Sequence, residues 1–191
     1  LKKIGITGGI GAGKSIVAGI IAVMGYPVYF SDIRAKELTL SDPEIRNGLI
    51  DLFGQEIYEH GSLNREKLAV IFQDDVLRLK VNELIHPVVR RDFESWVSSQ
   101  HSSMVFNEAA ILFETGSYKR MDATILVTAP EEIRLKRVVS RDNASAEAVI
   151  SRMEKQWEDE QKIPLADFVI QNDDKTPVLA QVEEVISKLL T

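Results

Sequence analysis

Gly8-Gly9-Ile10-Gly11-Ala12-Gly13-Lys14-Ser15 fits the pattern G-x-x-x-x-G-K-[ST] at every fixed position. Each residue type in it answers a need of a phosphate ligand. Glycines let the backbone turn tightly and bring N–H groups close to phosphate oxygens. Lys14 can reach the β- and γ-phosphates, and Ser15 can offer its hydroxyl to Mg²⁺. The flanks agree with this reading. Ile4-Gly5-Ile6-Thr7 reads as a short buried strand, and Ser15 to Met24 reads as an apolar helix. A helix N-terminus aimed at the loop adds partial positive charge. An ordinary turn would account for the glycines, but not for Lys14-Ser15 between a strand and a helix. The stretch therefore predicts a bound nucleoside triphosphate, with Gly11, Ala12, Gly13, Lys14, Ser15 and Ile16 as its contacts.

Composition sets the frame around the loop. The 191 residues suit one compact domain with small insertions, and 45% hydrophobic residues supply a sizeable core. A formal net charge of -6 argues against duplex nucleic acid as the main partner. No cysteine is present, which excludes a disulfide framework, a thiol nucleophile and a Cys-based zinc site. His60, His86 and His101 lack metal-ligand spacing. Lys2-Lys3 before apolar residues mimics a signal peptide, but Lys14 interrupts the run, and no stretch reaches the ~18 apolar residues of a membrane span. The expectation is a cytoplasmic protein without a membrane partner.

Short apolar runs alternate with helical patterns along the chain. Strands are expected at Ile4–Thr7, Pro27–Phe30, Ser103–Asn107, Ala123–Thr128 and Phe168–Gln171. Helices are expected at Glu131–Arg141, from Ser145 to about Glu160, and at Thr176–Leu190. Thr128 and Glu131 have capping-box spacing, with Pro130 in the first turn. Alternation of this kind favours a parallel sheet covered by helices, an α/β fold. Two regions interrupt it. Residues 41–100 are mostly helical without a good strand, and residues 129–162 form a charged helical pair.

Ligands of such sheets bind beyond the carboxyl ends of the strands. That rule gathers Gly8, Asp32, Glu108 and Asn172 on one edge. Asp32 fits a group that orients an acceptor hydroxyl and takes its proton. It equally fits a helix cap, because Ser31-Asp32 precedes a helix over Ile33–Leu40. Glu108, after the apolar run Met104-Val105-Phe106, suits Mg²⁺ or its waters, and equally a solvated loop charge. Arg134, Arg137 and Arg141 share a helical face that can close over a triphosphate. A solvated, acid-paired face is the plainer reading of any one of them. Arg141, at the helix end, is the one favoured for function. His86-Pro87 fits a helix start at Pro87, with His86 beside it as a substrate contact or a structural residue. Asp51-Leu52-Phe53-Gly54 matches the D-x-x-G of nucleotide switches. It ends a helical pattern, and the guanine-reading N-K-x-D is missing because Asn172-Asp173-Asp174-Lys175 has another order.

Together, the phosphate loop, Ser31-Asp32, Ile85-His86-Pro87, Leu112-Phe113-Glu114, Arg137 with Arg141-Asp142, Gln156 and Ala166-Asp167 with Asn172 resemble the dephospho-CoA kinase family. The resemblance implies transfer of the ATP γ-phosphate to the ribose 3′-hydroxyl of dephospho-CoA, with Mg²⁺. It implies a P-loop nucleotide-kinase-like three-layer α/β/α fold with a parallel five-stranded sheet. The core would be residues 1–40, 101–128 and 163–191, the helical substrate-binding insertion 41–100, and the lid 129–162. By family analogy Asp32 is the base, Lys14 and Ser15 serve the phosphates and Mg²⁺, and Arg141 belongs to the lid. His86 lies in the substrate motif and Asn172 near the nucleotide base. Phe30 stands where the family often has a further Asp, so the proton acceptor rests on Asp32. Arg134 stands where a Gln is frequent, and Glu108-Ala109-Ala110-Ile111-Leu112 replaces Asp-x-Pro-Leu-Leu. Another small-molecule kinase on the same core, and a nucleotide switch, are the competing readings.

Overall fold

The computed structural model describes all 191 residues except the side chains at positions 65, 69 and 72. In chain order the elements are β1 (Lys2–Thr7), α1 (Lys14–Val23), β2 (Val28–Phe30), α2 (Ser31–Ser41), α3 (Pro43–Phe53), β3 (Tyr58–Glu59), β4 (Ser62–Leu63), α4 (Arg65–Gln73) and α5 (Asp75–Ser98). There follow β5 (Met104–Glu108), β6 (Ala123–Thr128), α6 (Glu131–Asp142), α7 (Ala146–Met153), α8 (Asp159–Lys162), β7 (Phe168–Gln171) and α9 (Val178–Leu190). They fall into two compact units: residues 1–30 with 101–191, and residues 31–100.

The first unit is built on a parallel five-stranded sheet of order β2-β5-β1-β6-β7. The register sets Ile6 beside Glu108, Thr7 beside Leu126, and Thr128 beside Gln171, so the strands end along one edge. β1 lies centrally because Ile4 and Ile6 are wholly buried on one face. There they meet Val17, Ala18 and Ile21 of α1 and Val182, Ile186 and Leu189 of α9. On the opposite face Gly5 leaves room for the buried Leu112. Phe106 of β5 is fully buried and receives Tyr26 edge-on at 5.8 Å between ring centroids. The last two strands are locked at their entry by Asp167, whose Oδ2 accepts from Thr124 N–H and Oγ1–H, both at 2.8 Å.

The second unit packs α2, α3, α4 and α5 around Ile45, Leu49, Ile57, Val81 and Val88. Asp42, Asn64 and Asp74 cap α3, α4 and α5, each accepting from two first-turn N–H groups. The hairpin of β3 and β4 has two residues per strand, too few to leave an alternation in the sequence. Pro87 does not start a helix but lies inside α5, where burial of Val81 and Val88 on either side holds the helix through it. Helix α2 packs on α3 and α5, and this compact unit runs from Ser31 to Gln100.

Two helix expectations change in the first unit. Thr128 does not cap α6. It completes β6, its C=O accepts from Asn172 N–H at 2.8 Å, and α6 starts behind Pro130 without a side-chain cap. Ser145 does cap α7, but α7 stops at Met153 instead of running to Glu160. No helix among the described residues is long and apolar enough to cross a membrane.

Phe106→Ala should destabilise the protein by about 3–5 kcal/mol. Urea unfolding should show a lower midpoint with an unchanged slope. A loss under 1 kcal/mol would contradict the packing described for this ring.

Candidate active site

The phosphate loop leaves β1 at the point where the sheet order turns, with β5 on one side and β6 on the other. This is where sheets of this type bind ligands. Gly11 (φ 80) and Gly13 (φ 94) adopt left-handed backbone that disfavours a side chain. Space forbids one as well: a Cβ on Gly11 would lie 2.6 Å from the Arg134 carbonyl oxygen, and one on Gly13 would strike the Asn172 amide. Gly13 starts α1 with no side-chain cap, the arrangement that offers a helix N-terminus to an anion. Lys14 and Ser15 open that helix. Ile16, one residue on, is 57% exposed, an apolar surface fit for a flat ring.

Three side chains brace the loop from outside. Asn172 Nδ2 donates to Ala12 C=O at 2.8 Å, with both residues buried. Arg137 donates to Gly11 C=O at 3.3 Å and to the Asn172 C=O and Oδ1 at 3.0 and 3.3 Å, and it pairs with Asp174. Gln156 Oε1 accepts from Ile10 N–H at 2.8 Å. Arg134 lies against Gly9 and Gly11, its Nε buried. Arg141 is elsewhere. It is 68% exposed on its side chain and donates to Asp142, which also receives Arg152 at 3.2 Å. The Arg141 guanidinium holds the Asp142 carboxyl below the ordinary range. Of the three arginines on one face, the sequence favoured Arg141, yet Arg134 and Arg137 are the ones at the loop. Only the position of β1 relative to α6 decides this, and no local pattern carries it.

Glu108 ends β5 and is 5% exposed, in register with Ile6 of β1. A buried carboxylate at the strand end beside the loop suits a hard divalent cation, as does the Ser15 hydroxyl. Among the described residues no group of three or more His, Asp or Glu has metal-holding geometry. Mg²⁺ at kinase sites is held by one or two protein oxygens plus substrate phosphates, so the donors fit. A cleft of about 530 Å³ opens near Arg134, between the ends of β6 and β7. Its wall carries Glu131, Glu158, Asp159, Glu160 and Asp173 against one arginine, which repels a triphosphate.

The second unit carries Asp32 and His86. Asp32 is exposed in the first turn of α2, inside the helix rather than capping it. Arg34, half a turn on, grips Asp92 of α5 through Nε and Nη2 at 2.8 and 2.9 Å, and Glu37 at 2.9 Å. This fork fixes α2 on α5. His86 of α5 keeps surface exposed, but desolvation on its protein side draws its pKa below the ordinary 6.5, against the opposing pull of the Asp32 carboxylate. Asp51 lies within α3 and Gly54 (φ 82) ends it, so the D-x-x-G match is a helix terminus.

The dephospho-CoA kinase (CoaE) family model matches residues 2–177. The dephospho-CoA kinase of Bacteroides fragilis is 43% identical over 189 residues, covering 98% of this chain and 92% of the relative. That of Porphyromonas gingivalis is 43% identical over 191 residues, covering 98% and 94%. The crystal structure of TT1252 from Thermus thermophilus superposes with a TM-score of 0.85 at 35% identity, over 99% of this chain and 96% of that one.

Two outcomes are expected. Asn172→Ala removes the brace on Ala12 and a partner of Arg137, so ATP affinity should fall roughly tenfold. Titration calorimetry with ATP checks this, and unchanged affinity would contradict the bracing role. The second concerns His86. Its folded pKa is depressed, so its stabilising contribution is full above 6.5 and is lost as pH falls through the folded value. Melting temperature should therefore drop less between pH 7 and pH 5 in His86→Gln than in the parent chain.

Proposed function

The chain belongs to the dephospho-CoA kinase family, and from that premise we propose how its residues divide the reaction. The protein phosphorylates dephospho-CoA with ATP to give CoA. The ribose 3′-oxygen forms a bond to the γ-phosphorus while the bond from that phosphorus to the β,γ-bridging oxygen breaks. ADP leaves and the hydroxyl proton passes to a base.

The single observation behind our assignment is the externally braced phosphate loop at the turning point of the sheet. Gly11, Ala12, Gly13, Lys14 and Ser15 bind the phosphates, with N–H groups and the Lys14 ammonium facing the growing charge. Ile16 and Asn172 flank the nucleotide base. Ser15 and Glu108 hold Mg²⁺, which when bound draws charge from the β- and γ-phosphates. Asp32 accepts the proton of the 3′-hydroxyl. Its exposure lets it reach a substrate, and the Arg34–Asp92 fork fixes the helix that carries it. His86, shifted toward its neutral form, offers the substrate a hydrogen bond without a competing charge. Residues 129–162 act as the lid, with Arg141 as the lid arginine that leaves Asp142 for the transferring phosphoryl group. Residues 31–100 serve as the substrate-binding part. Phosphoryl transfer has little covalent chemistry for a protein to perform, so positioning and electrostatics carry the rate.

Asp32→Asn tests the base. CoA formation followed by mass spectrometry should show kcat reduced by about 10²–10⁴, with ATP affinity retained. A kcat near that of the parent chain would refute the role.

A further inference from the structure

Between α7 and α8 the chain leaves the helix, Gln156 turns its side chain inward, and the exposed Trp157 engages through its backbone alone. Gln156 places Oε1 on the Ile10 N–H of the phosphate loop at 2.8 Å, and its Nε2 lies 3.5 Å from the Ala110 C=O. Trp157, the next residue, donates its N–H to Glu114 Oε1 at 3.2 Å. The same carboxylate oxygen pairs with Lys162 Nζ at 3.0 Å. Lys162 is wholly buried and the Glu114 side chain is 14% exposed. A lysine taken fully out of water needs a strong local reason, because desolvation opposes it and the carboxylates near it, Glu114 in the pair and Asp159 acting at longer range, repay only part. The placement supplies that reason. Trp157 and Lys162 bound the whole α8 segment, and both end on one carboxylate just past β5.

We propose that Glu114 and Lys162 are a positioning pair that holds Gln156 on the phosphate loop, so that this carboxamide sets the loop geometry on which ATP affinity depends. The inference rests on the nucleotide-binding reading of the loop. A neutral amide is the side chain the place requires. It accepts from an N–H and faces a C=O with a donor. Glutamate would keep the acceptor but bring negative charge onto a loop made for phosphates. The segment that leads back from the lid region to β7 is thereby coupled to the loop through Gln156. The early stop of α7 is what lets residue 156 reach it.

The deciding measurement is ATP binding to the 191-residue chain by calorimetry, without the acceptor, and steady-state kinetics with dephospho-CoA serve only as a control. A wrong acceptor assignment therefore leaves the result intact. Gln156→Ala should weaken ATP roughly five- to tenfold, while the KM for dephospho-CoA stays within about twofold. Gln156→Glu should bind ATP more weakly than Gln156→Ala. A purely structural role for the side chain gives the reverse order, since Glu keeps the acceptor. Lys162→Met should lower ATP affinity to about the level of Gln156→Ala and add nothing in the double variant. Unchanged ATP affinity in Gln156→Ala, or effects of the two substitutions that multiply, would overturn the proposal. If Lys162→Met does not fold, the order of the two Gln156 variants decides.

Discussion

A loop made of glycines has no side chains with which to hold its own shape. Its N–H groups point at a ligand only if the surrounding protein keeps the carbonyls turned away. In this structure Asn172 takes the Ala12 carbonyl, Arg137 takes the Gly11 carbonyl, and the two braces bond each other. Much of the first unit follows from this demand. The brace at Asn172 exists because β7 runs parallel to β6 and ends level with it. That alignment depends on the Asp167 carboxylate, which pins the start of β7 to Thr124. Glycine freedom and external restraint are thus two halves of one device: low steric bulk for close approach, with rigidity imported from three separate segments.

The second unit keeps Asp32 exposed in the first turn of a helix that is itself firmly anchored. The planar Arg34 guanidinium two residues along fixes the start of α2 by gripping Asp92 of α5 with two parallel donors. Arg34 is partly exposed, so the pair's contribution to stability is small. Its value is directional. It sets where the first turn of α2 points.

Much of this was legible in the chain. The five strands of the sheet were placed within a residue or two, because buried parallel strands leave short apolar runs between helical patterns. The phosphate loop declared itself through residues whose chemistry has few other uses in that order. The failures have a common cause. Pro87 looked like a helix start because local rules punish proline inside helices, while tertiary burial around Val81 and Val88 overrode them. The helix after Ser145 looked continuous because nothing in its own residues announces that Gln156 will bond Ile10, 146 positions earlier. The contacts of Arg137 at the loop were hidden for the same reason: its partners Gly11 and Asn172 are remote in sequence. Long-range polar contacts leave no periodic trace.

The order of the strands also bears on how the chain acquires its shape as it is made. Lys2 of β1 pairs with Met104, and β1 has no neighbour in the sheet until β5 emerges. The phosphate loop is therefore made well before the segment that restrains it, since Asn172 follows Ala12 by 160 residues. Residues 31–100, by contrast, are continuous and hold their own apolar cluster. Their contacts can form while the opening strand waits, unpaired and apolar. Lys2 and Lys3 at its head place charge on a segment that would otherwise invite pairing with a second nascent chain.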